Sequence, residues 1–129
     1  MNEETIKIKS FKDLKVWQKG HALVIDIYKI TDKFPNNEIF GLTSQLRRAA
    51  VSITSNIAEG FSRRSSKEKS QFYFTALGSL TELQNQILIA KDIGYIKPET
   101  YEDLENRSIE IGKMINGLLN NFKSLIPKY

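Results

Sequence analysis

The sequence predicts an all-α chain. Four apolar segments repeat at the 3.6-residue spacing of a helix. No alternation of Val, Ile and Thr is long enough for a strand. The segments are joined by short stretches of turn residues, which makes neighbouring helices antiparallel. The expected architecture is an up-down-up-down four-helix bundle. At 129 residues the chain suits one domain with its own hydrophobic core. Residues 1–10 read as a loose N-terminal arm and residues 11–126 as the bundle.

The first helix follows Ser10 and Phe11, with Asp13 as a cap, and runs to about Phe34. Pro35 ends it, because the residue before proline avoids helical geometry. This helix carries two apolar stripes. Leu14, Trp17, His21, Val24, Ile25 and Tyr28 lie on one side. Val16, Leu23, Ile27, Ile30 and Phe34 lie on the other. A surface helix of a monomeric bundle needs one stripe. The second set is therefore expected at a contact between copies of the chain.

The second helix runs from about Leu42 to Ala58 or Glu59 and packs through Leu42, Leu46, Ala49, Ala50, Ile53, Ile57 and Gly60. Gly60 is expected to take a left-handed conformation that ends it. Ser65 or Ser66 caps the third helix, with Glu68 or Lys69 in its first turn. That helix buries Phe72, Tyr73, Ala76, Leu80, Leu83 and Ile87, and Gly94 stops it after Asp92 or Ile93. Gly78, unfavourable in mid-helix, is expected at a close helix contact. Pro98 opens the fourth helix, which buries Tyr101, Leu104, Ile111, Ile115, Leu118, Leu119 and Phe122 and fades before Pro127.

Charge singles out residues 41–70. They carry six basic and two acidic residues, which accounts for the whole net charge of +4. Localised positive charge suits a polyanion. Arg47, Arg63, Arg64, Lys67 and Lys69 are the candidate phosphate contacts, reading charge rather than sequence. Phe61, Tyr73 and Phe74 are candidates for stacking on bases, and Phe74 lies off the packing side. The second helix also bears a polar set: Gln45, Arg48, Ser52, Asn56 and Glu59. Arg48, Ser52, Ser55 and Glu59 share one face. The set is expected to fix helix register as a hydrogen-bonded network rather than to touch a ligand. Glu59 is expected to tie down the turn through Arg63 or Arg64.

Nothing in the sequence assembles a catalytic site. There is no Cys, and His21 is the single histidine, expected to be packed and hydrogen-bonded beside Trp17 and Tyr28. Zinc sites need more ligands of that kind. The Glu-x-x-His repeats of di-iron bundles and the Gly-rich phosphate loop are both missing. No catalytic residue, metal or other cofactor is expected, and the chain reads as a non-enzyme. No run approaches the roughly 18 apolar residues of a membrane span, and the N-terminus lacks a signal-peptide core. A cytoplasmic location without membrane contact is expected.

Three segments carry a family resemblance: FKDLKVWQKG (11–20), GLTSQLRRAAVSITSNIAEGFSR (41–63) and FYFTALGSLTELQNQILIAKDIGYI (72–96). They resemble a bacterial four-helix bundle family whose members include proteins encoded in intervening sequences of 23S ribosomal RNA genes. The resemblance spans about residues 11–122, and the middle motif is long and unusual. The family's Ser-x-x-x-Asn-x-x-Glu-Gly pattern falls on Ser52, Asn56, Glu59 and Gly60, with Thr54 in place of the commoner proline. The family is also similar to the accessory protein of diversity-generating retroelements, which works with a reverse transcriptase and binds nucleic acid. The resemblance implies assembly into a homopentameric barrel, and by analogy RNA or DNA binding. A ring would multiply one basic patch into a continuous surface. The alternative is a protein-interaction scaffold that docks a partner such as a polymerase without touching nucleic acid.

Overall fold

The computed structural model describes residues 7–122. Among these the chain forms four long helices and no strand: α1 (Lys15–Thr31), α2 (Leu42–Ser62), α3 (Ser66–Asp92) and α4 (Pro98–Asn120). The expected arm through residue 6 and the chain beyond residue 122, with the fading of α4 before Pro127, lie outside the described residues. No described helix is long and apolar enough to cross a membrane.

A 3-10 turn, Phe11–Asp13, precedes α1. The hydroxyl of Ser10 accepts from the Lys12 amide, and the Asp13 carboxylate accepts from the amides of Ser10 and Lys9. Those two donors hold the Asp13 carboxyl below its ordinary pKa. So Asp13 caps this turn, and α1 begins one residue beyond Leu14. It ends at Thr31 rather than Phe34, and a second 3-10 turn, Asn36–Glu38, leads into α2.

The core joins all four helices. Leu23, Ile27, Leu46, Ile53, Ile57, Leu83, Ile87, Leu104, Ile111 and Ile115 are fully buried. Between α2 and α3 the packing is close enough to require glycine. A Cβ at Gly60 would stand 2.6 Å from the Tyr73 ring. Gly60 is thus helical and buried, and α2 continues past it to Ser62. It permits close approach and does not terminate the helix. The left-handed glycine is Gly94, at φ 86°, in the turn between α3 and α4. A Cβ on Gly78 would meet nothing within 4 Å, so the close contact expected there is not made within the chain.

The stripe of α1 expected at a contact between copies lies in the chain's own core, while the other stripe is divided, with Val24 buried and Leu14 and Trp17 packed against the core. Val16, Leu23, Ile27 and Phe34 are buried in the chain's own core, and Ile30 packs partly against it. These residues are therefore not free to form a contact between copies. Gly20 lies on the same row, and a Cβ there would come 2.9 Å from Thr54 of α2. That close approach selects this side of α1 for the core. Ile25 and Tyr28, from the other stripe, remain exposed. His21 is exposed as well, stacked on Trp17 at 4.7 Å, and not enclosed as expected.

Polar contacts fix the lateral positions. Arg107 of α4 pairs with Asp26 of α1 at 2.7 Å, and Lys19 of α1 pairs with Glu110 of α4 at 2.7 Å. Gln84 of α3 donates to the Ser108 hydroxyl of α4, which is itself fully buried.

Candidate nucleic-acid interface

The five basic candidates do not form one surface. Arg47 stands near the start of α2 and Arg63 just beyond its end, about 24 Å apart at the helical rise. Several of the five are also occupied by structural work.

Arg47 closes the end of α1. Its Nε–H donates to Thr31 Oγ1 at 2.9 Å, and its terminal nitrogen reaches the Tyr28 carbonyl at 3.4 Å. The guanidinium lies over the Tyr28 ring, 4.6 Å from its centre. The carbonyl end of a helix carries partial negative charge, so a cation is favourable there. Lys69 does the same for α2. Its ammonium donates to the carbonyls of Phe61 at 2.7 Å and Gly60 at 3.3 Å, and it sits over the Phe61 ring.

Arg63 is half committed. It pairs with Glu59 at 3.5 Å, one helical turn earlier, and lies over Phe72 at 4.7 Å. Arg64 and Lys67 are exposed and enter no ion pair among the described residues. They flank Ser65, whose hydroxyl accepts from the Glu68 amide, capping the start of α3, and donates to the Glu68 carboxylate. That cap fixes the turn from which both cations project. The site at this end therefore reduces to Arg64 and Lys67, with Arg63 beside them.

Of the stacking candidates, Tyr73 is buried, and burial raises the pKa of its phenol. Phe61 is half-buried beneath Lys69. Phe74 is 52% exposed and is the aromatic ring that α3 offers to solvent.

The polar set on α2 resolves into a smaller network. Ser52 and Ser79 share a 2.7 Å hydrogen bond between α2 and α3. The Asn56 amide donates to the Ser52 carbonyl at 2.8 Å and to its hydroxyl at 3.1 Å. Glu59 belongs to the Arg63 pair instead. Gln45 and Arg48 are exposed and make no hydrogen bond to this group. Arg48 lines an open groove of about 400 Å³ with Tyr28, Ile39, Thr43, Ser44, Arg47 and Val51. Beside it, Phe40 is 94% exposed.

A further basic wall was invisible in the linear charge count. Lys29 and Lys33 at the end of α1 and Lys97 at the start of α4 line one cavity of about 300 Å³. Its remaining lining is Ile30, Tyr95, Ile96 and Thr100. The Tyr95 hydroxyl donates to the Glu38 carboxylate at 2.7 Å, and the Leu42 amide donates to the other oxygen at 3.2 Å. These bonds hold the Glu38 carboxyl below, and the Tyr95 phenol above, their ordinary values. Among the described residues no group of His, Asp and Glu is arranged to hold a metal ion.

Residues 12–117 match the family model described as 23S rRNA-intervening sequence protein. A crystal structure from Bacteroides thetaiotaomicron VPI-5482 is similar in fold, with a TM-score of 0.76 at 24% identity over 81% of this chain and 95% of that one. It is described as a protein of unknown function from the S23 ribosomal protein family. No functionally curated protein matches the chain.

Proposed function

The chain belongs to the 23S rRNA-intervening sequence protein family, and we propose that it is a non-enzymatic, oligomeric helical bundle that binds RNA or DNA through the turn joining α2 and α3. One observation carries this reading. Arg64 and Lys67 project from a capped, ordered turn with no acidic partner among the described residues, while Arg63 stands next to them. Solvated cations held in a fixed place release counterions when they meet phosphates, which favours binding at low salt. Phe74 adds an exposed ring on α3, suited to stacking on an unpaired base.

The experiment is a salt-dependent binding assay with single-stranded and duplex RNA and DNA. Changing Arg63, Arg64 and Lys67 together to Glu is expected to abolish binding at low salt. Lys69 is left in place because it caps α2. Unchanged binding in this variant, or none by the native chain at low salt, would refute the reading.

The oligomer forms part of the proposal. An up-down-up-down order is supported by contacts between successive helices: Ser52 meets Ser79, and nearer the turn Gly60 meets Tyr73. Assembly into a pentameric barrel is what the resemblance implies. The contact surface moves from the buried stripe to the exposed one, where Ile25, Tyr28, Ile39, Phe40 and Val51 leave apolar area in water. Light scattering on Phe40→Asp is expected to show a shift toward monomer. A native chain that is monomeric at micromolar concentration would sink this part. The exposed Phe40 also suits the scaffold alternative, in which a partner protein takes that ring and the charge serves solubility.

A further inference from the structure

The cavity between the end of α1 and the start of α4 has an unusual wall. Three lysines come to it from two segments far apart in the chain, Lys29 and Lys33 from one and Lys97 from the other. No carboxylate lines it. None of the three lysines forms an ion pair among the described residues. Like charges gathered without a counter-charge repel one another, and a multivalent anion between them removes that cost. The ammonium group, a compact charge on a flexible stem, binds phosphate as a point charge.

The rest of the wall is not phosphate-like. Ile30 and the buried Ile96 are apolar, and the half-buried Tyr95 ring adds an aromatic surface held in place by its bond to Glu38. Thr100 supplies a half-buried hydroxyl. At about 300 Å³ the cavity is several times larger than one phosphate needs and sits at the lower end of small-ligand sites. Positive charge together with an aromatic and aliphatic surface fits a phosphate joined to a base or sugar.

We propose that this cavity is a nucleoside-phosphate site, separate from the α2–α3 turn. The phosphate sits among Lys29, Lys33 and Lys97, and the base or ribose lies against Tyr95, Ile30 and Ile96. Two sources share that chemistry: a free nucleotide, and the 5′-phosphorylated end of a nucleic acid.

Calorimetric titration of the full chain at low salt tests this with AMP, ATP, and a short oligonucleotide with or without a 5′-phosphate. Saturable binding of the phosphorylated probes is expected, near one per chain, with the 5′-hydroxyl oligonucleotide at least about tenfold weaker. Binding of AMP or ATP but not of the oligonucleotide assigns the free nucleotide, and binding of the 5′-phosphorylated oligonucleotide assigns the nucleic-acid end. Lys33→Glu and Lys97→Glu are each expected to weaken binding about tenfold or more. Lys97→Arg is expected to retain it. A glutamate at position 97, beside the N-terminus of α4, favours the helix, so loss of binding there is not loss of fold. Arg64→Glu with Lys67→Glu is expected to leave nucleotide binding unchanged. No binding of any phosphorylated probe, or binding that follows Arg64 and Lys67 instead of the lysines of the cavity, would overturn the site. Oligonucleotide binding that follows Arg64 and Lys67 overturns this site and supports the α2–α3 turn. No oligonucleotide binding of either kind at low salt refutes the turn reading, and with no nucleotide binding either it refutes both.

Discussion

The two basic regions teach opposite lessons about charge. Around the α2–α3 turn the cations are neighbours in sequence, yet Lys69 is spent on the carbonyls ending α2 and Arg63 is shared with Glu59. At the cavity beside α1 the cations come from two segments, Lys29 and Lys33 from one and Lys97 from the other, and none forms an ion pair among the described residues. Proximity along the chain says where charge is concentrated. It does not say which charges are available, because helix ends consume cations locally. Availability is set by the geometry of caps and pairs, and the following variants probe it.

The largest stability effect is expected at Gly60, where the α2–α3 turn depends on close packing. A valine there drives its Cβ into the buried Tyr73 ring and meets Phe72 at 3.1 Å as well. Overpacking of this kind costs about 1–3 kcal/mol. Urea denaturation is the check, and a variant as stable as the native chain would mean that α2 and α3 separate freely there. The cations come next. Arg47→Ala and Lys69→Ala each remove bonds to helix-terminal carbonyls and are expected to cost about 1–2 kcal/mol. Arg64→Ala and Lys67→Ala are expected to stay within about 0.5 kcal/mol of native. Equal losses at all four positions would erase the distinction between spent and unspent charge.

A smaller effect is expected in the network between α2 and α3. Ser52→Ala and Ser79→Ala, made singly and together, form a double-mutant cycle across the 2.7 Å bond. The coupling is expected near 0.5–1.5 kcal/mol, the net worth of one partly buried hydrogen bond. A coupling of zero would leave Asn56 alone to hold the register through its two bonds to Ser52.

Legibility followed the uniqueness of the pattern. The buried sides of α2, α3 and α4 were readable because each has one apolar face at helical spacing, and the helix starts at Ser65 and Pro98 carry local chemistry. On α1 the pattern is apolar on both sides, so spacing could not choose. The choice lies in Gly20, which lets Thr54 approach and draws Val16, Leu23 and Ile27 inward. Gly60 misled for a related reason. A glycine near a helix end signals a left-handed cap, while a glycine facing a tyrosine signals space, and only the packing of Tyr73 tells these apart. In the polar set, Ser52, Asn56 and Ser79 meet across two helices, whereas Gln45 and Arg48 share the spacing without the contact. The three lysines of the cavity were hidden altogether, because carboxylates elsewhere in the chain cancel them in any linear charge count.

The smallest expected effect concerns the Tyr95–Glu38 bond, which fixes the aromatic wall of that cavity. Glu38 has its carboxyl pKa lowered, first by the Tyr95 hydroxyl and then by the Leu42 amide. Its contribution to stability is therefore complete above the ordinary glutamate value of 4.5 and is lost as pH falls through the lower native value. Tyr95 has its phenol pKa raised, first by Glu38. That contribution is complete below the ordinary tyrosine value of 10.0 and is lost as pH rises through the higher native value. The bond thus stabilises the fold inside a window closed at both ends. Melting temperatures of the native chain and Tyr95→Phe are expected to differ by a constant amount near neutral pH. The gap narrows in acid, below the ordinary glutamate value of 4.5, as pH falls through the lower native value and Glu38 protonates. Asp13 also has a lowered pKa, but it is present in both chains and drops out of the difference. A gap that persists unchanged into acid would mean that Tyr95 is held by ring packing on Phe34, at 5.1 Å, and not by the carboxylate.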